Sequence, residues 1–196
     1  MSLQDKTKWD EKYLDKPRLL LPRDASPNLQ KYFSQLSGEY ALDLACGNGR
    51  NTMYLAENGF RVKAIDIAQI AMDSLESQVK TKGLEGKVDL VCHDLDSYQL
   101  HEETFDLIIM SNFLDRDLIR KAKRSLKKGA LFFVETYMLD AANEKENSKK
   151  SNLLKAEELK EIFKEFEILV YDEFDNEKHE LYSMKKQFIL ARKMNS

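Results

Sequence analysis

Asp43-Leu44-Ala45-Cys46-Gly47-Asn48-Gly49-Arg50 is the stretch on which the fold turns. The apolar run Tyr40 to Ala45 is broken only by Asp43 and ends at two glycines. From Arg50 to Asn58 the pattern is helical, closed by Gly59 where a left-handed cap is favoured. A strand, a glycine bend and a helix start, in that order, let the backbone turn sharply. They offer free N–H groups to an acceptor without a Cβ in the way. By itself this describes any nucleotide-type site.

Outward from this turn, strand and helix patterns alternate. Arg61 to Ile65 reads as a second strand with Asp66 at its end, and Ala68 to Lys82 as a helix with Ile70, Ala71, Leu75 and Val79 on one side. Val88 to Cys92 is a third strand, followed by Asp94, and Phe105 to Met110 a fourth. Leu118 to Leu126 is a helix, and Ala130 to Thr136 a fifth strand, nearly all apolar as a strand covered on both faces must be. After a polar stretch the spacing predicts a helix over Lys155 to Phe166. Two last strands, Glu167 to Phe174 and Glu180 to Lys193, are joined by the turn-like Asp175-Asn176-Glu177 as an antiparallel hairpin. The pattern predicts an α/β sandwich around a seven-stranded, mostly parallel sheet, with ligands bound beyond the carboxyl ends of the strands. Toward the N-terminus, a short helix carries Trp9 and Tyr13 four apart on one face. Pro17, Pro22 and Pro27 mark an irregular segment behind it.

Composition bounds the function. The 196 residues suit one domain, divided as 1–30 (N-terminal helix and cap segment), 38–136 (core of alternating strands and helices) and 137–196 (loop, helix and terminal hairpin). A net charge of −3 gives no basic face for nucleic acid, and the lysine-rich stretches at 120–128 and 145–150 read as solvated faces. Cys46 and Cys92 form no C-x-x-C pair and read as small apolar residues at strand ends. With no apolar core in residues 1–16 and no run approaching the ~20 residues of a membrane span, a cytoplasmic protein without membrane partners is expected. His93, His101 and His179 have no metal-ligand spacing, so no metal is expected.

Three details narrow the site. Thr52 stands where a dinucleotide fingerprint needs its third glycine. Asp43, inside the strand, would repel a pyrophosphate but suits an ammonium or sulfonium. Asp66, 23 positions on, closes the next strand, where a carboxylate can accept both hydrogen bonds of a ribose diol. Asp94 follows the third strand, where an adenine amino group can be read.

With D-L-A-C-G-N-G at 43–49, A-I-D-I-A at 64–68, H-D-L at 93–95, F-D-L-I-I at 105–109 and L-K-K-G-A-L-F-F-V at 126–134, the sequence resembles the class I S-adenosylmethionine-dependent methyltransferases. W-D-E-K-Y at 9–13, Arg50 and V-E-T-Y at 134–137 make it look most like the small tellurite-resistance and thiopurine-type members. It departs from their pattern at Ala45 and at Gly129-Ala130, where glycines are usual.

The resemblance implies a Rossmann-like three-layer sandwich and S-adenosyl-L-methionine as cofactor. Asp43, Ala45, Gly47 and Gly49 would hold its methionine part, Asp66 the ribose, Ile67 the adenine face, and Asp94 with Leu95 the adenine edge. Met110, Ser111 and Phe113 would lie near the methylthio centre. Trp9 and Tyr13 would come from an N-terminal helix that closes over the cofactor. Asp115, Arg116 and Tyr137 are the candidates for contacting a small-molecule acceptor such as a thiol or metalloid oxyanion, and no catalytic base is assigned. The alternatives are a non-catalytic cofactor-binding regulatory module and, against the details above, a nicotinamide-dependent oxidoreductase.

Overall fold

The computed structural model describes residues 3–144, 149–176 and 183–195. The sheet strands are β1 (Tyr40–Leu44), β2 (Arg61–Asp66), β3 (Val88–Cys92), β4 (Phe105–Ser111), β5 (Leu126–Tyr137), β6 (Glu167–Asp175) and β7 (Lys185–Arg192). The helices are α1 (Leu3–Asp15), α2 (Pro27–Lys31), α3 (Arg50–Glu57), α4 (Gln69–Lys82), α5 (Arg116–Ser125) and α6 (Glu158–Ile162). One seven-stranded sheet runs in the order β3-β2-β1-β4-β5-β7-β6. The pairs from β3 to β5 are parallel and β7 is antiparallel to both β5 and β6. This is the Rossmann-like arrangement expected, terminal hairpin included.

The sequence of strands reverses direction between β1 and β4. Successive crossovers from β1 walk one way and those from β4 the other, so the loops after these two neighbours diverge and leave a crevice at their carboxyl ends. The period-2 alternation sends Leu42, Leu44, Ile108, Met110, Phe132 and Val134 to one face, against α5 and Phe163. Ala41, Leu107, Ile109, Leu131 and Phe133 go to the other, against α3, α4 and Leu29.

Several boundaries differ from the sequence reading. β5 starts at Leu126 rather than Ala130, because Leu126 already pairs with Phe105 across a bulge. α5 correspondingly covers Arg116–Ser125. The helix expected over Lys155 to Phe166 shrinks to Glu158–Ile162. Its first residues are held in a turn instead. Glu158 accepts from the Lys155 N–H at 2.7 Å, and Gln187 receives the Leu159 N–H (3.1 Å) while donating to the Lys155 carbonyl (2.6 Å). The paired part of the last strand begins at Lys185; 180–182, together with Glu177 of the expected turn and His179, lie outside the described residues. Both thiols are free. Cys92 is exposed at its strand end, not an apolar filler as expected. Among the described residues no helix is long and apolar enough to cross a membrane.

Arg116 ties the start of α5 to the segment from Ser151 to Glu158. Its guanidinium grips Glu158 through Nε (2.5 Å) and Nη2 (2.9 Å), and donates to the carbonyls of Ser151 and Leu153. Arg116→Ala should therefore cost about 1–2 kcal/mol, discounted for partial exposure. Urea unfolding checks this; an unchanged midpoint would show the tie to be inert.

Candidate functional site

The turn after β1 is built from left-handed residues: Ala45 (φ 56), Gly47 (φ 56) and Gly49 (φ 80). Asp66, leaving β2 beside it, fastens the bend. Its Oδ2 accepts from the Gly47 N–H at 2.8 Å and its Oδ1 from the Ala68 N–H at 2.9 Å. Each oxygen retains a further lone pair for a ligand. Burial raises the Asp66 carboxyl above the usual range against the pull of these backbone donors.

Asp43 is buried at 2% exposure on β1, and its Oδ2 accepts from the Thr52 hydroxyl at 2.6 Å. The residue that breaks the dinucleotide fingerprint thus serves the in-strand acid. Burial, opposed by Thr52 and helped by the negative charge of Asp66, pushes Asp43 up to about 7, with Arg50 pulling the other way. A cation beside Asp43 favours its ionised form. Below pH 7 a cationic ligand must displace a proton, so its affinity should rise by up to about tenfold per pH unit toward 7 and level off above. Calorimetry with S-adenosylmethionine from pH 5.5 to 7.5 checks this, and Asp43→Asn should flatten the profile. A wild-type profile already flat would remove Asp43 from the site.

α1 lies across this cradle. Asp10 accepts from the Ile70 N–H at 3.1 Å, capping the first turn of α4 from sixty residues away, and is itself paired with Lys6 at 2.9 Å. The Tyr13 hydroxyl sits over the bend: a Cβ on Gly47 would come within 2.9 Å of it. Burial beside Asp66 raises the Tyr13 hydroxyl well above its ordinary range. Trp9 is half-buried, its ring 6.4 Å from that of Tyr13 and covered by the Lys12 ammonium at 4.0 Å.

Two arginines absent from the predicted site set join it. Arg23, on the strap between α1 and α2, is close enough to stabilise the Tyr13 phenolate. Its Nε is buried without a hydrogen-bond partner. Arg50, at 8% exposure, acts on Asp43. Both also line an open groove of about 950 Å³ between α3, α4 and the strap, whose walls do not include Tyr13, Asp43, Gly47 or Asp66. The only sequence signal for Arg23 was its position between Pro22 and Pro27 in a segment with no helical or strand period.

The remaining predicted residues divide. Ile67 is buried at the end of β2, 7% exposed. Asp94 bends its own chain, its Oδ1 accepting from the Asp96 N–H at 2.9 Å. Leu95 and Met110 are core residues at 1% and 0% exposure. The Ser111 hydroxyl is buried without a hydrogen-bond partner, and Phe113 packs half-buried on the core. Asp115 caps α5, accepting from the Leu118 N–H at 2.8 Å, and Arg116 is committed to Glu158 rather than to Asp115 or Asp117. Tyr137 lies under the Lys186 ammonium, 4.9 Å from its ring centre. The structure therefore gathers Tyr13, Asp43, Gly47 and Asp66 with Arg23 and Arg50, and leaves Asp115 and Arg116 in structural roles.

A family model for the methyltransferase domain matches residues 41–129, the span from β1 to the Gly129 bend. Residues 41–129 are an S-adenosylmethionine-dependent methyltransferase domain. Among curated proteins, the chain is 35% identical over 109 residues to a cypemycin N-terminal methyltransferase from Streptomyces sp, covering 51% of this chain and 42% of that protein. It is 24% identical over 119 residues to a ubiquinone biosynthesis O-methyltransferase of Coxiella burnetii, covering 57% and 50%. The chain thus spans half or less of the length of these curated relatives. In fold, the chain is similar to TehB from Haemophilus influenzae (TM-score 0.76, 24% identity, 86% of this chain and 62% of that one). It is also similar to a geranyl diphosphate C-methyltransferase from Streptomyces coelicolor A3(2), solved with S-adenosyl-L-homocysteine (TM-score 0.66, 14% identity, 85% and 77%).

The residues present fit the cofactor. The Asp66 carboxylate has acceptor capacity to spare, the Gly47 bend has no room for a side chain, and the Arg23 Nε is an unused donor.

Proposed function

We propose that the whole chain works as one domain that transfers the methyl group of S-adenosylmethionine to a small-molecule acceptor in the cytoplasm. The observation that carries this reading is Asp66 pinning the glycine bend through Gly47 and Ala68 beneath the Tyr13 hydroxyl, with buried Asp43 next to it. In this reading Asp66 holds the ribose hydroxyls, and Ile67 and Asp94 face the adenine. Asp43 faces the cationic end of the methionine part, and Arg23 with Arg50 faces its carboxylate. Trp9 and Tyr13 close the mouth, while Ala45 and Gly49 shape the bend.

Bound cofactor supplies a methyl group on a positive sulfur; the chain's own part is to orient, to exclude water and to line the cation. Positioning alone can supply roughly 7–11 kcal/mol of barrier reduction. An aromatic wall such as Phe113 near the sulfur adds about 0.5–2 kcal/mol. The acceptor enters beyond β4 and β5, where Ser111 and Tyr137 stand.

The relatives are named for methylation at an N-terminus, at oxygen and at carbon, so the fold does not choose the nucleophile. A thiol or metalloid oxyanion is the acceptor in this reading, because a polarisable nucleophile makes the smallest demand on a general base. The net charge of −3 speaks against nucleic acid as acceptor.

The test is incubation with methyl-labelled cofactor and a panel of thiols, selenite, tellurite, amines and phenols. Label transferred to a thiol or oxyanion supports the proposal. Transfer only to amines or phenols overturns the acceptor class, and binding without transfer to any compound makes the chain a regulatory module.

A further inference from the structure

At the carboxyl end of β5, where β7 begins beside it, the sheet buries an ion pair that the reading above does not use. Glu135 and Lys186 are both 0% exposed, with Lys186 Nζ 3.7 Å from Glu135 Oε1. Taking both charges out of water is costly, and at this separation the pair is not closed by a hydrogen bond; Oε1 has none. Aliphatic residues would fill the same places in a sheet already flanked by Phe133 and Phe188 at lower cost. The carboxylate is therefore present for its other oxygen.

That oxygen reaches the strap. Glu135 Oε2 accepts from the Ser26 hydroxyl at 2.7 Å and from the Asn28 amide at 3.1 Å, both more than a hundred residues away in the chain. The Ser26 N–H donates in turn to Asn51 Oδ1 at 2.9 Å, next to Arg50 on α3. The strap running into Ser26 carries Arg23. It is also fastened at Leu20 and Leu21, whose carbonyls accept from Ser74 and Asn48. On the sheet side, the Glu135 carbonyl accepts from the N–H of Asn112, the left-handed residue that ends β4. Glu135 thus touches both coverings of the crevice: the strap by its side chain and the β4 loop by its backbone.

We infer that Glu135 is a positioning residue: backed by Lys186, it latches Ser26 and Asn28 so that the strap holds Arg23 and the α1 residues over the cofactor. This rests on the cofactor reading of the cradle. The latch sets the fraction of molecules whose strap is closed, and apparent cofactor affinity scales with that fraction.

The experiment compares the full-length protein with the S26A/N28A double variant, which cuts the latch from the strap side and leaves the buried pair intact, and with E135Q, which keeps an oxygen able to accept both bonds. Two readouts are taken: affinity for S-adenosylhomocysteine by calorimetry, and the rate of trypsin cleavage after Arg18 and Arg23 by mass spectrometry. In S26A/N28A, cleavage at Arg23 should accelerate about tenfold and S-adenosylhomocysteine affinity fall about fivefold or more, with the thermal midpoint of the body little changed. E135Q should retain affinity within about twofold, because its amide oxygen can accept both bonds.

Wild-type cleavage rates and affinity in S26A/N28A would overturn the latch. A wild-type protein that does not bind S-adenosylhomocysteine would bring down the cofactor reading instead, while the trypsin rates still decide whether Glu135 holds the strap.

Discussion

Asp66→Ala is expected to lower the affinity for S-adenosylmethionine by at least tenfold and, if both ribose bonds are lost, by about a hundredfold. Hydrogen bonds to a charged group are worth about 1.5–3 kcal/mol each, and tenfold corresponds to about 1.4 kcal/mol. Two losses add. The carboxylate no longer meets the ribose, and the Gly47 and Ala68 N–H groups lose the acceptor that holds the bend in its binding shape. The side chain is half-buried and its bonds to Gly47 and Ala68 are partly shielded, so water replaces those contacts poorly. Calorimetry on the folded variant reads the effect, and an affinity within twofold of wild type would refute the ribose assignment.

Gly49→Ala should produce the largest loss of stability of any single methyl group in the bend. At φ 80 a side chain is strained, and the new Cβ would stand 2.2 Å from Leu75 Cδ1, itself fully buried on α4. Left-handed strain of about 1–2 kcal/mol and overpacking of about 1–3 kcal/mol sum to about 2–5 kcal/mol. At about 2–4 °C per kcal/mol for a chain of this size, the thermal midpoint should fall on the order of 5–15 °C. Gly59→Ala is the control. Its φ is 104 but nothing lies within 4 Å of the added carbon, so it bears the strain without the clash. If the two variants melt together, α4 does not pack on the bend as described.

Much of the site's frame was legible because it is local. The glycines at 47 and 49, the acid before them and the acid at the next strand end are bound to the strand–turn–helix unit by near neighbours. Even Thr52, read first only as a missing glycine, turns out to be the partner of Asp43 nine residues back. What the sequence did not show depends on remote chain. Arg116 looked free to meet an acceptor until Glu158 was brought to it, and Met110 and Leu95 looked like lining until the sheet turned them into the core. Arg23 and Glu135 carried no local pattern at all.

The amino-acid sequence alone determined the alternation of strands and helices, the parallel sheet with its terminal hairpin, and the cradle of Asp43, Gly47, Gly49 and Asp66. These follow from side-chain period and turn chemistry, which act over a few residues. Only the tertiary structure decided what covers that cradle: Asp10 capping α4, Tyr13 above Gly47, Arg23 at the groove and Ser26 on Glu135. Those contacts join segments up to 109 residues apart. They exist because the divergence of β1 and β4 opens a crevice that the N-terminal strap is long enough to cross.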